Sequence, residues 1–273
     1  MTVWRRGLCV ERALLCGAVA LLLSFVMAGC GATKPAWVSS PDRSADLPTG
    51  TEALLALADA QFAIEPHTGD TLDRSLAALE AVELSGDESD YQVHWRRARA
   101  CFYLTEFVDD DVANARYVLP GVVHGELAVK VAPDRVEGHY FLALNLARGV
   151  EATSDVNSLT PMMEVAKRAA EVDPAYDEAG PLRLMGKVYM VAPEWPTSVG
   201  DRDEAVEVLK RAVSLAATPL NRLFLGQAFF HIEDFDRAVP HVRRALKLGL
   251  KGGLEAQWID EARSYLMRMG ASE

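Results

Sequence analysis

The chain has 273 residues, half of them hydrophobic, with 28 Lys+Arg against 39 Asp+Glu and a formal net charge of −11. That acidity disfavours nucleic acid and anionic membrane surfaces as partners. It is compatible with solubility alone and names no ligand.

The chain begins with a basic head, Arg5, Arg6 and Arg12, followed by the apolar run Ala13–Met27. At 15 residues this run is short for a membrane span, which needs about 20. It leads into Met27-Ala28-Gly29-Cys30, which resembles the lipobox of bacterial lipoproteins. In such proteins the chain is cut before a cysteine that is then acylated. Residues 1–29 then read as a signal peptide and Cys30 as the lipidation site. An ordinary signal peptide with a chance cysteine at the cut is the alternative. Each buried methylene of an acyl chain adds about 0.8 kcal/mol, so several chains anchor a protein almost permanently. Residue 31 is Gly; an Asp there would resemble an inner-membrane retention signal, so the periplasmic side of the outer membrane is the expected location. Removing three Arg and one Glu with the signal leaves 25 basic against 38 acidic residues, a formal charge of −13.

Residues 30–50 contain three prolines, several serines and no hydrophobic period. They read as a tether spanning on the order of 25 Å as a flexible coil. From Thr51 to residue 273 nearly everything has helical periodicity, and no convincing strand stands out. Of the cysteines beyond the anchor only Cys101 remains, on an apolar helical face. It cannot form an internal disulfide and reads as a small buried hydrophobe.

The clearest segment is Leu223–Leu248. Leu225-Gly226, Phe229, the pair Ala238 and Val242, and Ala245 match the tetratricopeptide (TPR) pattern of large and small residues. The pattern has a steric cause: small residues sit where two antiparallel helices cross closely. In the last repeat the small positions are Gly226, Ala238 and Ala245, spaced 12 and 7. The same scheme with wider first spacings gives Gly186, Ala205 and Ala212, then Ala143, Met162 and Ala169, then Ala98, Gly121 and Ala128. A first repeat reads as Ala58, Arg74 and Ala81. The fold class is therefore all-α, a TPR-like α-solenoid of about five helical hairpins. A last helix over Leu254–Met269, with Trp258, Ala262, Tyr265 and Leu266 on one face, caps the stack. Four inter-helix loops read as long and are expected along one edge, where solenoids often bind.

Several residues stand out as candidate contacts. Trp195 lies between Pro193 and Pro196, which stiffen its loop; it reads as a ligand or partner contact or as a plug between repeats. Gly200 permits a tight turn and Asp201 is a suitable N-cap. Arg183 and Lys187 are one helical turn apart and could grip a carboxylate or pair with nearby acids. Asn145 interrupts the aromatic helix that carries Tyr140. It reads as an inter-repeat hydrogen-bonding group or as a lining of a groove. Gly180-Pro181 interrupts a helix or sets its first turn. The acidic runs at Asp109–Asp111 and Asp87-Glu88-Asp90 lack the alternating ligands and Gly of a calcium loop. No zinc, phosphate-loop, nucleotide or nucleophile motif occurs. The expectation is a binding protein rather than an enzyme, with no cofactor and no metal.

Taken together, the lipobox, the helix around His139–Arg148, Gly180-Pro181-Leu182-Arg183 and the loop Ala192-Pro193-Glu194-Trp195-Pro196 followed by Gly200-Asp201 resemble the TatT family, TPR lipoproteins that are the T component of TRAP transporters. The resemblance covers most of the mature chain. It implies a periplasmic lipoprotein associated with the solute-binding protein of a TRAP system. It also implies a pore or cleft through the helical body, and a homo-trimer such as some members form. TRAP systems take up organic acids and similar solutes. The second functional reading is a general envelope scaffold that binds other proteins through its solenoid groove without a small ligand.

Overall fold

The computed structural model describes residues 46–84, 90–108 and 114–273. The signal segment, Cys30, most of the tether, Asp87, Glu88 and Asp109–Asp111 lie outside the described residues. Among the described residues the chain forms eleven α-helices and no strand. They are α1 (Thr51–Phe62), α2 (Gly69–Glu80), α3 (Asp90–Leu104), α4 (Leu119–Val131), α5 (Val136–Thr153), α6 (Leu159–Val172), α7 (Tyr176–Val191), α8 (Arg202–Leu215), α9 (Pro219–His231), α10 (Phe235–Leu248) and α11 (Ala256–Arg268).

The helices pair in chain order, α1 with α2 through α9 with α10, and α11 closes the end against α10. Several start where the sequence places a cap. The Thr68 hydroxyl accepts from the Thr71 amide, Asp201 from that of Glu204, Thr218 from that of Asn221 and Asp234 from that of Arg237. Each such bond satisfies a donor that the first helical turn leaves open.

The crossing positions explain why the hairpins close. Ala98, Ala128, Ala143, Ala169, Ala205, Ala212, Ala238 and Ala245 are all completely buried. A methyl group on Gly186 would overlap Leu209 of α8, and one on Gly226 would overlap Val242 of α10 and approach its amide nitrogen to 3.1 Å. These residues are small because a neighbouring backbone or large side chain occupies the remaining space. The capping helix buries Trp258, Ala262, Tyr265 and Leu266, the face expected of it.

Two expectations need correction. In the first hairpin Ala81 is exposed and Arg74 half-buried; the register sits one residue on, at Ser75 and Val82, both buried. The Ser75 hydroxyl donates to the main-chain carbonyl of Ala58 at 2.8 Å. A small residue fits that crossing only because its polar atom finds this acceptor. The long loops are also fewer than expected. The extra residues between Ala143 and Met162 lengthen α5 to 18 residues, which ends at Ser154 in a left-handed conformation with φ 55°. A short turn, Val156–Ser158, then completes the connection. By contrast, residues 192–201 are an irregular excursion as predicted. Gly200 lies where a side chain would strike the carbonyl of Ala192. Its amide donates to Pro193 O, and that of Asp201 to Tyr189 O, each at 2.9 Å.

The start of α7 departs from regular helix. Asp177, Glu178 and Ala179 are left-handed, with φ of 49°, 55° and 64°. Each such residue costs about 1–2 kcal/mol, so the turn needs external support. Gly180 follows, against the hydroxyl of Tyr140 where no side chain fits. Pro181 then begins the right-handed stretch with an amide that needs no acceptor.

Candidate binding cleft

The support for the left-handed turn is Arg183, which is only 5% exposed. Its guanidinium donates to Glu178 O at 3.1 Å, to Asp177 O at 3.2 Å, to the Asp177 carboxylate at 3.0 Å and to Asn221 Oδ1 at 3.1 Å. Asn221, on α9, donates from its amide to Glu178 O and Ala216 O, both at 2.8 Å. Tyr140, on α5, donates its hydroxyl to Asp177 Oδ2 at 2.6 Å. Burial, then the neighbouring Asp177 carboxylate, holds that phenol well above its ordinary ionisation range. One cluster thus ties α5, α7 and α9 together.

One turn further on, Lys187 is equally buried. Its ammonium donates to Gln227 Oε1 at 3.2 Å and lies 3.9 Å from a Glu261 carboxylate oxygen. Burial pulls its pKa down. Arg183 and Lys187 border a small cavity of about 30 Å³, together with Tyr140, Phe224 and Trp258. Of the two readings of this pair, the geometry matches internal pairing with acids, because both cations face carboxylates of the protein itself.

Above this layer lies an open cleft of about 690 Å³, a size typical of ligand sites. The superhelix builds it from distant segments. Glu65 and His67 come from the α1–α2 connection, and Tyr103 and Glu106 from the end of α3 and the turn beyond it. Asp177 and Glu178 come from the left-handed turn, Leu220 from α9, and Glu255 and Trp258 from the start of α11. On one wall Tyr103 packs edge-on against Phe62 at 5.1 Å and against His67 at 5.2 Å. Burial first, then the Asp177 and Glu106 carboxylates, raises the pKa of its hydroxyl.

Of the residues singled out from the sequence, Tyr140 and Arg183 meet on the Asp177 carboxylate, whereas Asn145 and the Trp195 loop stand apart from them. Asn145 is fully buried and donates to Ala98 O at 2.9 Å and Phe141 O at 2.8 Å. It links α3 to α5 inside the packing rather than lining a groove. Tyr140 is 2% exposed and acts on the cleft through Asp177. Trp195 is 85% exposed, Pro196 is exposed and Pro193 half-buried. Trp195 therefore does not plug a gap between repeats. It follows the far end of α7, which runs roughly 12 Å from Arg183 to Val191 at about 1.5 Å per residue, and it is not among the residues that line the cleft. The carboxylates of the cleft and Tyr103 carried no motif. Their only signal was a place at helix ends: Glu65 and Glu106 follow α1 and α3, Asp177 and Glu178 open α7, and Glu255 precedes α11. Cys101 is buried as expected, and burial pushes its thiol up to about 12, which removes it as a nucleophile.

No family model and no curated protein sequence matches the chain. Among solved structures, TTC0263, a thermophilic TPR protein of Thermus thermophilus, superposes with a TM-score of 0.59 at 22% identity, over 79% of this chain and 98% of its own. The MamA protein aligns with a TM-score of 0.41 at 14% identity, over 81% of this chain and 96% of its own. The likeness to TTC0263 concerns the fold alone, and it agrees with the hairpin order and the buried small residues: the chain is an all-helical TPR-like α-solenoid.

Proposed function

We propose that the protein is a lipid-tethered periplasmic binding component, more specifically a partner of the solute-binding protein of a TRAP-type uptake system. The observation that carries the binding reading is the cleft of about 690 Å³. Its walls come from non-adjacent hairpins and are held rigid from beneath by the Arg183 cluster. The TRAP assignment adds the resemblance of the lipobox and the 192–201 loop to the TatT family. The anchor is Cys30, the membrane is the outer one, and the oligomer is a trimer. The protein binds and does not catalyse.

The test is cross-linking of the tagged full-length protein in cells, followed by identification of captured proteins. A TRAP solute-binding subunit is expected with the wild type and not with Leu220→Trp, which narrows the cleft. Capture of assembly or peptidoglycan proteins alone would remove the TRAP assignment. A Cys30→Ser variant that stays in the membrane fraction would remove the lipid anchor. The general-scaffold reading has its own support. The acidic cleft opposes the organic acids that TRAP systems carry, which favours a protein as the occupant over an acidic solute.

A further inference from the structure

Among the described residues five carboxylates line the cleft, Glu65, Glu106, Asp177, Glu178 and Glu255, together with the guanidinium of Arg183 and with His67, which lies 3.3 Å from Glu65. That guanidinium is already turned to Asp177 and to two main-chain carbonyls beneath the surface. The acids do not converge on a point. They come from four separate elements, from the first hairpin to the last helix, so a compact cation would meet only some of them. Tyr103 and Trp258 add aromatic surface to the same walls, and aromatic faces attract ammonium and guanidinium groups. Burial first raises the pKa of Tyr103, the Asp177 and Glu106 carboxylates add to it, and Arg183 and Arg99 oppose it.

A further observation is independent of charge. Trp258 is 4% exposed, and its indole N–H has no hydrogen-bond acceptor among the described residues. A buried donor without a partner is unfavourable by about 1–3 kcal/mol. The ring lines the cleft but its nitrogen is closed to solvent, so a main-chain carbonyl of an incoming chain supplies the missing acceptor once the ring turns toward the cleft.

We propose that the cleft receives an extended segment of a partner protein bearing lysine or arginine. Its cations would lie among Glu106, Asp177, Glu178 and Glu255, beside Tyr103 and Trp258, and a main-chain carbonyl would accept from the Trp258 indole. The net negative charge of the chain steers such a segment inward. This deepens the binding reading of the concave face and rests on it.

The experiment uses the full-length protein and fluorescence anisotropy of short labelled peptides, one alternating lysine with alanine, the other glutamate with alanine. The lysine peptide binds about 10-fold or more tightly than the glutamate peptide, and added salt weakens it. The exposed pair Glu178→Gln and Glu255→Gln together weakens it about 3–10-fold. Trp258→Phe, which keeps the ring and removes the donor, weakens it a few-fold. Equal binding of the two peptides, or affinity unchanged in the glutamine variant, overturns the cationic assignment. Displacement by free spermidine as effective as by unlabelled peptide overturns the polypeptide in favour of a small polyamine. Leu220→Trp separates the two levels of the argument. If it blocks the peptide while the glutamine variant does not, only the charge inference falls. If it leaves lysine-peptide binding unchanged, the concave-face reading falls as well.

Discussion

Replacing Arg183 by methionine removes the group that holds the left-handed turn. The substitution keeps an unbranched apolar chain of similar reach and deletes the hydrogen bonds to Glu178 O, Asp177 O, the Asp177 carboxylate and Asn221 Oδ1. Removing one partner of a fully buried charged pair costs about 3–5 kcal/mol; here the Asp177 side chain left behind is 35% exposed, which lowers that share. The abandoned carbonyls would add to that, but relaxation of Asp177, Glu178 and Ala179 toward ordinary backbone recovers about 1–2 kcal/mol per residue. The net expectation is a loss of about 3–5 kcal/mol, equivalent to a fall in Tm on the order of 10 °C for a domain this size. Urea unfolding followed by circular dichroism reads the loss. Hydrogen exchange adds a local test, because the Ala179 amide, which donates to Ala175 O at 3.1 Å, should lose protection before the rest of α7. Arg183→Lys should fall between wild type and Arg183→Met, since an ammonium cannot reproduce a planar fork. A loss below about 1 kcal/mol with exchange at Ala179 unchanged would refute the idea that Arg183 supports the turn.

Gly226→Val places branched carbon against Val242 of α10, and overpacking of this kind should destabilise by about 1–3 kcal/mol or more in the same unfolding assay. Trp195→Ala should change stability by less than about 0.5 kcal/mol, because the ring is 85% exposed; equal recovery of partners by this variant and the wild type would remove Trp195 from the binding account. Stability should also fall on mild acidification. Burial, aided by Arg97 and His94, lowers His124 to about 4, and burial with Arg202, Lys187 and Arg268 lowers His231 to about 4. The unfolded chain takes up these protons near 6.5 and the folded chain does not until about 4. The contribution is therefore complete above about 6.5 and is lost as pH falls toward 4. It amounts to on the order of 1–2 kcal/mol per histidine once partial exposure is allowed for. Unfolding free energies measured between those pH values should flatten in a His124→Gln, His231→Gln double variant, and an unchanged slope would count against the two histidines as its source.

Much of the fold was legible because its cause is local. A helix crossing tolerates only a small side chain, so Gly186, Gly226 and the buried alanines announce the hairpins by spacing alone. Asp201 declares its cap and Gly200 its turn for equally short-range reasons. The first hairpin slipped by one residue because Ser75 serves there in place of alanine, and its fitness depends on the Ala58 carbonyl 2.8 Å away. The added residues near Thr153 continued a helix instead of forming a loop, a choice that local spacing leaves open.

The cleft was not legible, for a physical reason. Its carboxylates lie at the ends of different helices, and only the superhelical turn of the stack carries Glu65 and Tyr103 round to face Asp177 and Glu255. The same holds for Arg183. Sequence pairs it with Lys187 on one face of α7, but its actual role depends on three left-handed residues and on Asn221 from another hairpin. Short-range sterics thus determined the repeating unit. The summed curvature of the repeats, a property of the whole chain, decided which charges meet and whether each cation is turned inward or outward.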